Sequence, residues 1–180
     1  MNAPIMLETE RILRARAAAL ARPRLVGVRP EDEIEVVEFL LGSEHYAIAA
    51  SLVREVCPLK DLTPLPGTPA FVRGIINLRG RIVSVVDLKR FFDLPVQGLT
   101  DLNKVVVTGD AQTEFGLLVD AVVGVRSISR VEIQPPMPTL TGVRETYLKG
   151  VTRERLVILD GTAILADPKL IVRDEARASH

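Results

Sequence analysis

The chain has one cysteine, two histidines and no tryptophan, and its aromatic residues are five phenylalanines and two tyrosines. A lone Cys57 closes no intramolecular disulfide, and the first residues alternate Glu and Arg instead of placing an apolar run after a basic one, so a reducing cytoplasm is expected. Net charge is lacking too: 23 Lys and Arg balance 23 Asp and Glu. A polyanion finds no overall attraction here, and so few aromatics offer little for stacking bases, which argues against a nucleic-acid-binding small barrel. No apolar run reaches the roughly 18 to 20 residues that cross a bilayer, because Arg73, Asp87, Asp120 and Arg126 interrupt the most hydrophobic stretches. Phosphate-cradling, nucleophile-elbow and zinc-binding motifs are absent, and His45, His180 and Cys57 assemble no triad. No catalytic residue, cofactor or metal is therefore expected. A chain of 180 residues that is 47% hydrophobic is long enough to bury one or two modest cores, and a protein that binds other proteins is the class left standing.

Residues 4 to 22 show helical spacing, with Met6, Leu13, Ala17 and Leu20 on one face, before Pro23 and Pro30 break the pattern. From Glu35 the chain turns to short β segments: 35–41, 46–48, 75–78, 81–86, 104–108, 114–119, 146–151 and 155–159. Two short helical pieces are expected at 52–56 and 88–92, and prolines at 58, 64, 66 and 69 hold the stretch between them extended. Asp87 and Asp160 each follow an apolar strand and precede a helical run, so they read as helix caps and not as an acid pair for catalysis. His45 reads as a solvated turn residue and Cys57 as a small buried apolar group.

An internal repeat settles the architecture. Tyr46-Ala-Ile-Ala-Ala-Ser-Leu-Val-Arg-Glu-Val56 aligns without gaps to Phe115-Gly-Leu-Leu-Val-Asp-Ala-Val-Val-Gly-Val125. A second echo follows, Arg73-Gly-Ile through Asp87 against Lys149-Gly-Val through Asp160. Two units of about 60 residues, each too small for a sandwich, suit closure into small barrels. The expectation is a mainly β protein of two packed five-stranded SH3-like barrels with short helices and an N-terminal helical extension. Its boundaries are expected at 1–33 for the extension and linker, 34–165 for the folded domain, with subdomains of about 34–95 and 103–165, and 166–180 for a tail.

The run Thr68-Pro-Ala-Phe-Val-Arg-Gly-Ile-Ile-Asn-Leu-Arg-Gly-Arg-Ile-Val-Ser-Val-Val-Asp-Leu88 closely resembles the signature of the CheW-like family, above all in its G-x-x-N-L-R-G core at Gly74 to Gly80. Tyr46-Ala-Ile, Val53-Arg-Glu-Val56, Gly116-Leu-Leu-Val-Asp-Ala-Val and Tyr147-Leu-Lys-Gly150 extend the resemblance over about residues 35 to 165. That resemblance implies two SH3-like barrels related by a pseudo-twofold, and a non-enzymatic adaptor in the cytoplasm. Its partners would be a chemoreceptor's signalling tip and the regulatory domain of a CheA-type histidine kinase, with the chain itself a monomer.

The resemblance also marks residues. Val53, Val56, Val122 and Val125 match positions near a receptor groove or else fill the cores, and Val105 joins them as a partner-binding candidate. Glu55 and Arg79 match an acid and a base expected to approach each other. Gly74, Gly116 and Gly150, like Gly80, are expected as backbone requirements of the site. Ala47, Ala49 and Ser84 depart from the family pattern of Tyr-Gly-Ile-Asp and of a proline after the Asn-Leu-Arg-Gly strand.

Overall fold

The computed structural model describes residues 32–96, 103–136 and 145–170. The helix expected at 4–22 and the tail beyond 170 lie outside the described residues. Among the described residues, ten strands form two sheets: β1 Glu33–Leu41, β2 Glu44–Ala49, β3 Val53–Pro58, β4 Val72–Leu78, β5 Arg81–Asp87, β6 Lys104–Gly109, β7 Glu114–Val119, β8 Ala121–Ser129, β9 Leu148–Val151 and β10 Val157–Leu159. Two short helices, α1 Leu88–Phe91 and α2 Gly161–Ala166, follow β5 and β10.

The order of strands is β8-β1-β2-β10-β9 in one sheet and β3-β6-β7-β5-β4 in the other. Each five-strand repeat thus contributes its first two strands to one sheet and its last three to the other. The barrels expected from consecutive chain, about 34–95 and 103–165, are replaced by this exchange. The chain crosses from one sheet to the other at the links between β2 and β3, residues 50–52, and between β7 and β8, the single residue Asp120.

The duplication reaches into the irregularities. Arg54 is the extra residue of a bulge in β3 facing β6, and Val123 is its counterpart in β8 facing β1. Arg73 and Lys149 play the same part in β4 and β9. Beside those two bulges, Thr63 bridges to Ile75 and Gln134 bridges to Val151, covering part of each outer strand. Asp87 accepts from the amides of Lys89 and Arg90, and Asp160 from those of Thr162 and Ala163, so both carboxylates cap helices.

Three cores result. Ile76, Val83, Val85, Val105, Val107 and Leu118 fill one sheet's concave side, and Val36, Ala47, Ile128, Leu156 and Ile158 fill the other's. A larger cluster of Phe39, Tyr46, Phe91, Phe92, Phe115 and Tyr147 with aliphatic neighbours lies between the sheets. Tyr147 donates a short hydrogen bond to Asp167 just past α2, and Leu170 is fully buried in the same cluster, which fastens the chain after the last helix.

Two strands also depart from the expected pattern. Residues 53–56 form β3, not a helix, and only Ala50–Leu52 make a 3-10 turn. β8, Ala121–Ser129, lies where the sequence pattern predicts no strand. Both errors have one cause: Val53 and Val56, like Val122 and Val125, lie three residues apart, which resembles a helical face. In the structure the bulge residue absorbs the odd spacing, so Val53 and Val56 stand opposite Thr108 and Val106, on a single face of the sheet.

Candidate partner-binding site

The hairpin between β4 and β5 is closed by two residues, Arg79 and Gly80, with φ values of 52° and 85°. Positive φ at both positions is the type I′ turn, whose twist matches the flanking strands. The side chain of Asn77 accepts from the Gly80 amide at 2.9 Å and fixes the turn from within. Asn-Leu-Arg-Gly is therefore a turn sequence with a mechanism, but Arg79 is a costly occupant of a left-handed position that Gly or Asn fills readily. Its side chain is 82% exposed, with one contact, Nη2 to Glu55 Oε2 at 3.5 Å.

Glu55 lies on β3, at the opposite margin of that sheet from the β4–β5 hairpin. The meeting of the two therefore shows the sheet curled on itself. The expected approach of Glu55 and Arg79 is present, but Glu55's shorter contact is to Arg81, whose Nη2 donates to Oε1 at 2.9 Å. Arg81 in turn contacts both carboxylate oxygens of Glu114, one of them at 2.7 Å. Arg81 and Glu114 escaped the sequence reading, although Arg81 directly follows the Asn-Leu-Arg-Gly core. Cys57, two residues on from Glu55, is half-buried, and burial followed by the Glu55 carboxylate pushes its thiol pKa up.

The other barrel closes in the same way with the charges reversed. Arg126 on β8 reaches Glu154 in the β9–β10 turn at 3.0 Å, so here the strand supplies the base and the turn the acid. Arg126 also approaches Glu38 at 3.4 Å, and Glu38 receives His45 Nδ1 at 2.7 Å. His45 is exposed as expected, but it is tied to a buried carboxylate.

The four valines divide in two equivalent pairs. Val53 and Val122 are half-buried and pack against the central cluster. Val56 and Val125 remain 43% and 65% exposed on strands at the margins of their sheets. Only the second pair offers apolar surface to a partner in the folded state. Val105 is corrected: it is fully buried, and its Cγ1 lies 2.3 Å from where a Cβ on Gly116 would stand. Val105 and Gly116 form one packing unit inside a barrel, and neither reaches the surface. Gly74 and Gly150 are buried where the outer strands meet their bridging segments. A Cβ would stand 2.1 Å from the Thr63 carbonyl oxygen at Gly74 and 2.2 Å from that of Gln134 at Gly150. Gly74 in addition has φ 140°, which a side chain resists.

No group of three or more potential metal ligands occurs among the described residues. The described residues thus present a turn carrying an exposed guanidinium, an acid that restrains it loosely, and solvent-facing valines on the marginal strand of each sheet.

Comparison with known proteins agrees with this geometry. The CheW-like domain family matches residues 35–169. The chain is 31% identical over 137 residues to the chemotaxis protein CheW of Treponema pallidum, covering 72% of this chain and 81% of that one. It is 31% identical over 149 residues to CheW of Klebsiella aerogenes, covering 81% and 90%. Protein FrzA of Myxococcus xanthus is 30% identical over 134 residues, covering 74% and 83%. Among solved structures, the scaffolding protein TtCheW from Thermoanaerobacter tengcongensis aligns with a TM-score of 0.64 at 32% identity, covering 70% of this chain and 88% of that one. With the signature turn, the duplicated strands and the match over most of its length, this chain belongs to the CheW-like family.

Proposed function

We propose that the protein is a non-enzymatic adaptor that couples a chemoreceptor's cytoplasmic signalling tip to the regulatory domain of a CheA-type histidine kinase. The observation that carries this reading is Arg79: an arginine held at a strained turn position, 82% exposed, on a hairpin that its own packing does not require. Strain kept in a fold against cheaper alternatives marks a position used for something other than stability. Relatives described as chemotaxis and scaffolding proteins support the same role. Val56 and Val125, exposed on the marginal strand of each sheet, supply apolar surface of the kind that receives an amphipathic helix. Val53, Glu55, Val122, Gly74, Gly116 and Gly150 act behind them, shaping the strands and the turn.

The chain works in the cytoplasm as a monomer and reaches the membrane through its receptor. No helix among the described residues is long and apolar enough to cross a bilayer. The departures from the family pattern fall within the strands: Ala47 is fully buried and Ser84 pairs with Ile75.

The test is a binding assay of the purified chain with each partner, alongside Arg79→Glu and Val125→Asp. Both positions are exposed, so both variants should keep the unfolding free energy within about 0.5 kcal/mol of wild type while binding their partners more weakly. Unchanged binding in both variants would remove these residues from the interface, and no binding by the wild type would defeat the adaptor reading.

A further inference from the structure

Four charged side chains alternate in sign across one end of the curled sheet β3-β6-β7-β5-β4: Glu114 on β7, Arg81 on β5, Glu55 on β3 and Arg79 in the turn. Their distances are unequal. Arg81 grips Glu55 at 2.9 Å and Glu114 at 2.7 Å and closer, whereas Arg79 stands 3.5 Å from Glu55's other oxygen. Glu55 is 19% exposed and its need for a cation is met by Arg81. Arg79 is the member of the chain of charges with the weakest hold, and most of its five donors are left for another carboxylate or carbonyl.

We propose that Arg81, anchored by Glu114, is a positioning residue that keeps Arg79 available to a partner by occupying Glu55. This rests on the reading that Arg79 meets a partner, and it adds what sets the availability of that arginine. Without Arg81, Glu55 has one cation within reach. Arg79 then folds down from 3.5 Å into a close pair, and a partner must break that pair before it can bind. An exposed pair of this kind competes by a few tenths to about 1 kcal/mol, which weakens binding about two- to fivefold. Lys cannot replace Arg81 fully, because one ammonium does not fork between two carboxylates as a guanidinium does.

Two readouts on the full-length chain decide the matter. In the free protein, exchange of the Arg79 Nε–H measured by NMR should slow about two- to fivefold in Arg81→Ala, with a smaller change in Arg81→Lys. Unchanged or faster exchange overturns the proposal. In a double-mutant cycle, Arg81→Ala should weaken binding of the kinase regulatory domain or the receptor tip about two- to fivefold when Arg79 is present, and should have no effect in an Arg79→Asn background. An equal loss in both backgrounds would mean that Arg81 touches the partner itself and would also overturn the proposal. If Arg79→Asn binds like wild type, the assignment of Arg79 to the interface fails, while the exchange measurement still decides what Arg81 does to Arg79.

Discussion

Replacing Arg79 by Asn should make the protein more stable and less able to bind. Arg79 occupies the first position of a type I′ turn at φ 52°, followed by Gly80 at 85°. Asn-Gly is the favoured pair for this turn, and an ordinary side chain in the left-handed region gives up roughly 1 kcal/mol against Gly or Asn. The substitution recovers half to all of that, about 0.5–1 kcal/mol. Against it stands the loss of the Arg79–Glu55 pair, which at 3.5 Å and with Arg79 82% exposed contributes about 0.2 kcal/mol after solvent screening. The hydrogen bond from the Gly80 amide to Asn77 is untouched. The net expectation is a gain of about 0.5 kcal/mol. Urea unfolding with a slope near 2 kcal/mol/M would show this as a midpoint raised by about 0.2–0.3 M with the slope unchanged. Thermal unfolding would show a rise of about 1–2 °C. The same variant should bind its partner measurably more weakly, separating the turn's stability from its use. A lowered midpoint would refute the strain argument, and a stabilised variant that binds as tightly as wild type would refute the claim that the strain serves recognition.

Three further outcomes follow from the packing. Gly74→Ala should destabilise the fold by about 2–4 kcal/mol, because the new methyl meets backbone at Thr63 and the residue must hold φ 140°; a loss under 1 kcal/mol in urea unfolding would contradict the fit. Lys89 is buried with its Nζ 2.5 Å from Asp120, and Asp120 also accepts from the Gly42 amide at 2.6 Å and from Asn103 at 3.2 Å. Asp120→Ala should therefore cost about 3–5 kcal/mol by stranding a buried ammonium, while Lys89→Met leaves the carboxylate with its other donors and costs about 1–2 kcal/mol; equal costs would overturn that ordering. Burial and the hydrogen bond to Asp167 push the Tyr147 pKa up to about 12, above the value near 10 of an unfolded chain. The folded state thus favours the neutral phenol, its contribution is complete below about pH 10 and is lost as pH rises toward 12, and Tyr147→Phe should show less alkaline loss of stability than wild type over that window.

How much of this was legible in the sequence depended on the range of the interaction. β1, β5 and β7 announce themselves by runs of apolar and β-branched residues, and Asp87 and Asp160 by their place between an apolar strand and a helical run, because strand burial and capping act over a few residues. The repeat gave the two-sheet architecture. It could not give the exchange of strands, since matching segments say which strands are equivalent and not which of two identical partners each one pairs with. β3 and β8 were hidden by their bulges, which turn a period of two into an apparent period of three. At the site, Arg79 and Glu55 came from the family resemblance. Arg81 and Glu114 stand 33 residues apart in sequence and meet only because the sheet curls, a contact with no local signature. Val105 is fully buried against Gly116, a packing without a local signature, because an apolar side chain on a strand looks the same in sequence from either face.

The most direct test of the adaptor account is bridging. A receptor signalling tip fixed to beads should retain a CheA-type regulatory domain when this protein is present and release it when the protein is omitted or replaced by Arg79→Glu. Retention that is independent of the protein, or a protein that holds one partner only while excluding the other, would contradict the account.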